Sequence, residues 1–233
     1  MTPAFVARLA IVGRAMLSGF AIAFFVVAVI ARPASQAPDG ARLLDPDRPE
    51  FQEHAPPVSR IRLETSKGPI TLEMQRAWAP HGADRFYTLV RAGFYDDTRI
   101  FRIRAGLWAQ FGINGTPAIA QRWRNRAIPD DPRVLSNLRG TVAYAYKDPN
   151  GRTTQVFINL RDNSSSHDSE PFVPFARVID GMAVADAWYS DYGEAAGGGI
   201  RAGRQDPVFE GGNAYLIREF PKLDRIDRAT ILP

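Results

Sequence analysis

The stretch FRIRAGLWAQFG, residues 101–112, alternates apolar residues with arginines, passes Ala105-Gly106, and then begins a second apolar segment. This pattern predicts two antiparallel strands joined by a tight turn at the glycine. Because side chains alternate along a strand with a period of two, Arg102 and Gln110 are expected opposite each other across the hairpin. The glutamine side-chain carbonyl can then hold the guanidinium in place.

The sequence on both sides of this hairpin predicts further short strands. RIRLET and PITLEM, residues 60–65 and 69–74, alternate apolar and polar residues, and the intervening SKGP is a hairpin signal. The remaining predicted strands are RIFRI at 99–103, LWAQFG at 107–112, GTVAYAY at 140–146, TQVFINL at 154–160, VPFARVI at 173–179 and RATIL at 228–232.

Two segments have helical periodicity instead. PHGADRFYTLVRAG, residues 80–93, places apolar residues at helical spacing and ends at a glycine, so it predicts an amphipathic helix. A second helix is predicted within GMAVADAWYS, residues 181–190. Many short strands with two helices predict a mainly β fold, a closed or nearly closed barrel capped by helices.

The composition excludes several classes of function. The 233 residues contain no cysteine, which excludes a disulfide framework, thiolate catalysis and cysteine-bound metal. The 29 basic and 25 acidic residues are scattered along the chain, without the basic cluster typical of nucleic-acid binding. The histidines, His54, His81 and His167, lack metal-ligand spacing, so no metal site is predicted.

The N-terminal part of the chain differs in composition from the rest. Residues 15–31 are uncharged and follow two arginines, which is the layout of a signal anchor or a signal peptide. We expect residues 1–31 to be an uncleaved anchor, with cleavage as the alternative. Residues 32–57 are rich in proline and charge and predict a linker, so the folded domain is expected to span residues 58–233.

The orientation of this segment is not decided by charge, because basic residues flank it on both sides. Its resemblance to an export signal favours a domain outside the cytoplasm. We therefore expect a single-pass protein of the cell membrane with a periplasmic domain. A secreted or periplasmic protein after signal cleavage is the alternative.

Two other segments suggest chemistry but fit a simpler interpretation. NSSSHDSE, residues 163–170, contains serine, histidine and aspartate as neighbours. Catalytic triads are assembled from separate elements, so this segment is expected to be a polar surface loop. GEAAGGGIRAGR, residues 193–204, lacks the lysine and hydroxyl residue of a phosphate-binding loop and is expected to be a flexible insertion.

Three stretches together resemble the cyclophilin family of peptidyl-prolyl cis-trans isomerases. They are FRIRAGLWAQFG, GTVAYAYKDPNGRTTQVFINL (140–160) and FVPFARVIDGMAVAD (172–186), and the similarity covers residues 59–190. NAYLIREFPKLDRIDRATIL, residues 213–232, is similar to the closing segment of exported bacterial members. The resemblance implies an eight-stranded antiparallel β-barrel capped by two α-helices.

The resemblance also implies the roles of individual residues. Arg102 corresponds to the catalytic arginine, Gln110 to the glutamine that supports it and Phe157 to the floor of the proline pocket. The remaining substrate-binding positions are Leu107 and Trp108 on the pocket walls, Ala145, Tyr146 and Gln155 along the groove for residues before proline, and Phe172 where many members have histidine.

The sequence departs from the family pattern in residues 163–170. Family members usually supply an aromatic residue and a leucine there, whereas this chain has Ser165, Ser166 and His167. This difference leaves one pocket wall undefined, together with sensitivity to cyclosporin. Trp108 can fill part of the gap.

The function implied is rotation about X–Pro peptide bonds, which assists the folding of exported proteins. The reaction needs no cofactor and no metal, and the expected partners are proline-containing segments of unfolded or exported proteins. A membrane partner is expected through residues 15–31, no nucleic acid is expected, and the protein is expected to be a monomer. The alternative is a catalytically weak, cyclophilin-like module that binds peptides or serves as a chaperone or scaffold.

Overall fold

The computed structural model describes residues 40–199 and 204–233 of the protein. Most of the hydrophobic core lies between a large antiparallel sheet and the helices that pack on it. The strands are β1 (Val58–Thr65), β2 (Gly68–Gln75), β3 (Thr98–Arg99), β4 (Arg102–Arg104), β5 (Trp108–Phe111), β6 (Thr141–Tyr144), β7 (Val156–Asn159), β8 (Pro174–Asp180) and β9 (Arg225–Leu232).

The helical elements are mostly short. Within the described residues, three single 3-10 turns occur at Pro49–Phe51, Arg76–Trp78 and Ala195–Gly197. The α-helices in the described ranges are α1 (Gly40–Leu43), α2 (Pro80–Arg91), α3 (Pro117–Trp123), α4 (Ser164–His167), α5 (Met182–Asp186) and α6 (Asp206–Glu219).

The nine strands form one sheet in the order β3-β9-β1-β2-β8-β6-β7-β5-β4. Its two outermost strands, β3 and β4, come from one short segment, residues 98–104. The start of this segment pairs with β9 and its end pairs with β5, so it brings the two edges of the sheet together. A sheet whose edges meet leaves few backbone groups unpaired at an edge.

The longest strand pairings are those of β1. It forms a hairpin with β2 and pairs on its other side with β9, so Arg60 lies opposite both Glu73 and Leu232. Ile61 and Leu63 point to the same face and are fully buried, as expected for alternate residues of a strand that covers the core. The predicted hairpin and its apolar face are therefore confirmed.

Helix α2 begins where a buried carboxylate satisfies its first N–H groups. Asp131 accepts hydrogen bonds from the backbone N–H groups of His81 and Gly82 at 2.9 and 3.0 Å. Its Oδ2 also lies 3.1 Å from Nη1 of Arg152, whose side chain is completely buried. An anion at a helix N-terminus is favourable, and the arginine compensates its burial.

The mainly β fold class is confirmed, but the count of strands and helices differs from the prediction. The structure has nine strands rather than eight because the extended segment 98–104 is interrupted at Ile100 and Phe101, where pairing changes from β9 to β5. Predicted strand RIFRI is thus divided between β3 and β4. The predicted helix in residues 181–190 exists but is short, spanning Met182–Asp186.

The prediction of two helices was too low, because the described residues also form α1, α3, α4 and α6, of which α1 and α4 are single turns. Helix α6 contains Gly211 and Gly212, and Gly212 has non-helical dihedral angles that kink it. Glycine lowers helix propensity and interrupts the apolar period, so residues 206–219 lack a clear helical signal. The hydrophobic segment 15–31 lies outside the described residues, and within those residues no helix is long and apolar enough to cross a membrane.

We predict that Arg152→Met lowers the free energy of unfolding by about 3–5 kcal/mol, because it leaves Asp131 buried without its partner. Equilibrium unfolding in urea measures this change. The matched control is Arg126→Met, which breaks an exposed pair with Asp47 and should cost less than about 1 kcal/mol. Equal losses in the two variants would contradict a structural role for the buried pair.

Candidate active site

The hairpin β4–β5 aligns the two predicted catalytic residues. Arg102 and Gln110 are directly opposite each other in the strand register, as the sequence pattern predicted. The turn between the strands contains Gly106 with φ +67°, and the N–H of Leu107 closes it on the carbonyl of Arg104 at 2.8 Å. The register therefore follows from the turn and the two-residue period of the strands.

The guanidinium of Arg102 is held on several sides. Its Nη1 donates to Gln110 Oε1 at 2.9 Å, and its Nη2 donates to Glu194 Oε1. Its central carbon lies 4.5 Å from the ring centroid of Trp108, within the range of a cation–π contact. Burial lowers the pKa of Arg102 from its usual range and Glu194 opposes this shift, and an arginine stays protonated in either case.

A row of amide side chains continues from the arginine. Gln110 Nε2 donates to Gln155 Oε1 at 2.8 Å, and Gln155 exchanges two hydrogen bonds with Gln205 at 2.9 and 3.0 Å. Gln110 is only 2% exposed, so these bonds satisfy an amide that has little access to water. The row fixes the oxygen of Gln110 as the acceptor that faces Arg102.

An aromatic cluster adjoins this polar row. Phe157 lies opposite Gln110 in the register of β5 and β7 and is 4% exposed. Its ring is 5.3 Å from Phe172, 5.5 Å from His167 and 6.5 Å from Trp108, in edge-to-face arrangements. Such arrangements are favourable for aromatic pairs, and they place an apolar surface next to the amide row.

The loop that was predicted to be polar surface contributes His167 to this cluster. Residues 164–167 form α4, and the His167 ring also lies 4.8 Å from Phe172. The turn is fixed by Asn163, which donates to the carbonyl of Leu107 at 2.8 Å and to Asn159 Oδ1 at 2.7 Å. An imidazole therefore lies where the sequence left the wall undefined.

The histidine is in an environment that disfavours its charged form. Burial lowers the pKa of His167, an effect that Asp168 and Glu170 oppose. Its Nδ1 is buried and has no hydrogen-bond partner within residues 40–199 and 204–233. Both features favour the neutral imidazole.

The remaining predicted residues surround the same region. Ala145 follows β6 and donates its N–H to the carbonyl of Gln155 at 3.0 Å. The Tyr146 ring lies 4.9 Å from Phe172, and its hydroxyl donates to Glu170. Leu107 lies half-buried at the end of the β4–β5 turn.

Three residues of this region were absent from the predicted site. They are Glu194, His167 and Gln205. Glu194 lies in the glycine-rich segment that was predicted to be a flexible insertion, and Gln205 directly follows this segment. In the structure, Ala195–Gly197 form a 3-10 turn and Glu194 pairs with Arg102. An acidic residue in a segment rich in glycine and alanine was the available signal, and it does not indicate a distant partner.

The arrangement suits a reaction without proton transfer or a nucleophile. It combines an oriented N–H donor, a row of amide groups and an apolar aromatic surface. Among the described residues, no group of three or more His, Asp or Glu side chains is placed to hold a metal ion. A donor beside an apolar pocket can stabilise an atom that gains electron density during bond rotation.

Comparisons with known proteins agree with this geometry. The sequence model of the family described as "Cyclophilin type peptidyl-prolyl cis-trans isomerase/CLD" matches residues 60–198. A peptidyl-prolyl cis-trans isomerase of Streptomyces antibioticus is 36% identical over 138 residues, covering 56% of this chain and 82% of the relative. Peptidyl-prolyl cis-trans isomerase B of Escherichia coli strain K12 is 31% identical over 134 residues, covering 54% of this chain and 81% of the relative.

A solved structure is similar in fold. The cyclophilin type peptidyl-prolyl cis-trans isomerase of Cryptosporidium parvum, crystallised in the presence of the dipeptide Ala-Pro, superposes with a TM-score of 0.54 at 18% identity. The match covers 75% of this chain and 99% of the other.

The fold and site thus define a β-rich domain of the prolyl isomerase class. The chain belongs to the cyclophilin family and is a cyclophilin-type peptidyl-prolyl cis-trans isomerase. The family and the enzymatic activity predicted from the three sequence stretches are confirmed.

We predict that His167 makes the domain less stable in acid. Because burial lowers its pKa in the folded state, the unfolded chain binds more protons as the pH falls below about 6.5. The contribution of neutral His167 to the free energy of unfolding is fully present above that pH. It is lost as the pH falls through the lower pKa of the folded state. Urea unfolding of the wild type and His167→Phe at pH 7.5 and 5.5 measures it. The wild type should lose more stability than the variant, and equal losses would contradict the prediction.

Proposed function

We propose that Arg102 catalyses X–Pro rotation by donating an N–H to the proline nitrogen at the twisted transition state. Amide resonance creates a rotation barrier of roughly 18–20 kcal/mol. When the bond twists, the nitrogen regains its lone pair and becomes a better acceptor than it is in the planar amide. A donor at this position therefore binds the transition state more strongly than the ground state. The hydrogen bond from Arg102 to Gln110 is the observation that supports this role.

We propose that Phe157 forms the floor of the proline pocket, with Trp108, His167 and Phe172 around it. The ring contacts of Phe157 with these three residues support the assignment. An apolar environment disfavours the charge-separated resonance form of the planar amide, which raises the ground state relative to the twisted state. Leu107 is a further residue of the pocket wall, and Ala145, Tyr146 and Gln155 line the groove where the peptide groups before proline would bind.

The pocket and the arginine are both needed on energetic grounds. An uncatalysed bond takes tens to hundreds of seconds to isomerise. A turnover of about a thousand per second would correspond to an acceleration of roughly 10⁵, or about 7 kcal/mol. One hydrogen bond to a charged group contributes about 1.5–3 kcal/mol. Positioning of the substrate and the apolar pocket must then supply the remainder.

A weakly active peptide-binding module is the second candidate. The low exposure of the Arg102 side chain, 10%, and its pairing with Glu194 favour it, because a covered donor is less available to a substrate. The intact alignment of Arg102, Gln110 and Phe157 favours the efficient enzyme. Turnover of proline peptides distinguishes the two.

We predict that Arg102→Ala lowers kcat/KM for an X–Pro peptide by about 100-fold while the domain remains folded, because one hydrogen bond to the transition state is lost. A protease-coupled cis-to-trans assay measures it. The matched control is Arg104→Ala, which changes an exposed arginine of the same strand and should alter the rate little. A loss below about threefold for Arg102→Ala would contradict the assigned role, and an inactive but folded wild type would favour the binding module.

We propose that the enzyme acts on exported proteins and that residues 1–31 hold it at the cell membrane, as a monomer. The uncharged span at residues 15–31 supports an anchor that tethers the domain. A tether of this kind would keep the isomerase near chains that emerge from the membrane.

We predict that the full-length protein fractionates with membranes and that its domain is digested by protease added to spheroplasts. Replacement of Phe24, Phe25 and Val26 by aspartate should abolish membrane fractionation, because charges within the apolar span are costly. Protein of full-length mass in the membrane fraction indicates an anchor. Protein whose mass lacks the N-terminal segment, found in the soluble periplasmic fraction, indicates cleavage. Protection from protease in intact spheroplasts would contradict export.

A further inference from the structure

The carboxylate of Glu194 contacts the guanidinium of the residue that we propose as the donor. Nη2 of Arg102 donates to Glu194 Oε1, while Nη1 donates to Gln110 Oε1. The side chain of Glu194 is 20% exposed, so the ion pair is largely shielded from water. A charge-assisted bond in such surroundings orients its partners more strongly than an exposed pair does.

The backbone of residues 193–197 is shaped to bring this carboxylate onto Arg102. The carbonyl of Gly193 accepts a hydrogen bond at 3.0 Å from the N–H of Ile103, the neighbour of Arg102 in β4. A Cβ atom on Gly197 would lie 2.8 Å from Arg102 Cβ and 2.9 Å from its Cδ. This approach is too close for a side chain, so glycine allows the backbone to lie against the stem of the arginine.

The hydrogen bonds of the guanidinium show what the Glu194 carboxylate adds to the bond with Gln110. A guanidinium has five N–H groups, of which Gln110 takes one on Nη1 and Glu194 takes one on Nη2. Nε is buried and has no hydrogen-bond partner in the part of the chain that the structure describes. Within the described residues, one N–H on each terminal nitrogen has no hydrogen-bond partner and is left for a substrate. Gln110 and the Trp108 ring provide only one hydrogen bond to the guanidinium, and Glu194 provides a second on the other terminal nitrogen.

We propose that Glu194 is a positioning residue for prolyl isomerisation, whose carboxylate fixes the Arg102 guanidinium so that its remaining N–H groups face the bound X–Pro segment. The inference rests on the proposed role of Arg102. An orientation set before the substrate binds favours the transition state over the ground state. Loss of the carboxylate should therefore reduce kcat more than it changes KM.

The test compares Glu194→Gln with the wild type in the full-length protein in mild detergent. Glutamine keeps the shape and the acceptor oxygen but removes the charge. We expect kcat to fall roughly tenfold and KM to change less than about twofold, measured by NMR exchange on a proline peptide. The Nε–H signal of Arg102 should also show a lower order parameter, because the guanidinium is held less firmly.

Two further variants make the result specific. Asp191→Asn removes a negative charge from an exposed position in the same segment and should change neither kcat nor the Arg102 signal. Glu194→Asp keeps the charge on a shorter side chain and should recover part of kcat. Melting curves for each variant show whether it is folded, and Glu194→Asp serves as the test if Glu194→Gln is not.

The outcomes separate the two proposals. If Arg102→Ala removes the activity and Glu194→Gln leaves it unchanged, the positioning role of Glu194 is overturned and the role of Arg102 is not. A higher kcat in Glu194→Gln would also overturn it, because the carboxylate would then compete with the substrate for Arg102. A loss confined to KM would make Glu194 a groove residue and overturn the proposal as well. A folded wild type without activity would instead refute the proposed function.

Discussion

The hydrogen bond between Arg102 and Gln110 is the interaction on which the arrangement of the site depends. It holds a guanidinium in a largely buried position. A charged group is costly there unless it is hydrogen-bonded or paired with an opposite charge. The surrounding residues reduce this cost in different ways. Glu194 provides a countercharge, Trp108 presents the face of its ring, and the amides of Gln155 and Gln205 hold Gln110 in the accepting orientation.

The parts of this arrangement that the sequence predicted are those set by local rules. The turn at Gly106 and the two-residue period of a strand determine that Arg102 faces Gln110, and both signals lie within twelve residues. The β1–β2 hairpin and α2 have equally local signals. The assignment of Phe157 to the site came instead from similarity to a family, because a buried phenylalanine in a strand has no local mark of function.

The parts that were missed depend on contacts between distant segments. Glu194 is 92 residues from Arg102 along the chain, and Gln205 is 50 residues from Gln155. No periodicity or spacing relates such residues, so only the folded chain reveals their pairing. His167 was overlooked for a related reason, since its polar neighbours indicate a surface loop. The asparagines that turn its ring toward Phe157 are buried through tertiary contacts.

The pairing of β1 with β9 also has a consequence for how the domain is made. A chain leaving the ribosome exposes β1 more than 150 residues before β9, with which it pairs from Arg60 opposite Leu232 to Thr65 opposite Ile226. Until residues 225–232 emerge, one side of β1 has no partner strand, and such an edge favours association with other chains. The domain therefore completes its sheet only after its last strand has been synthesised.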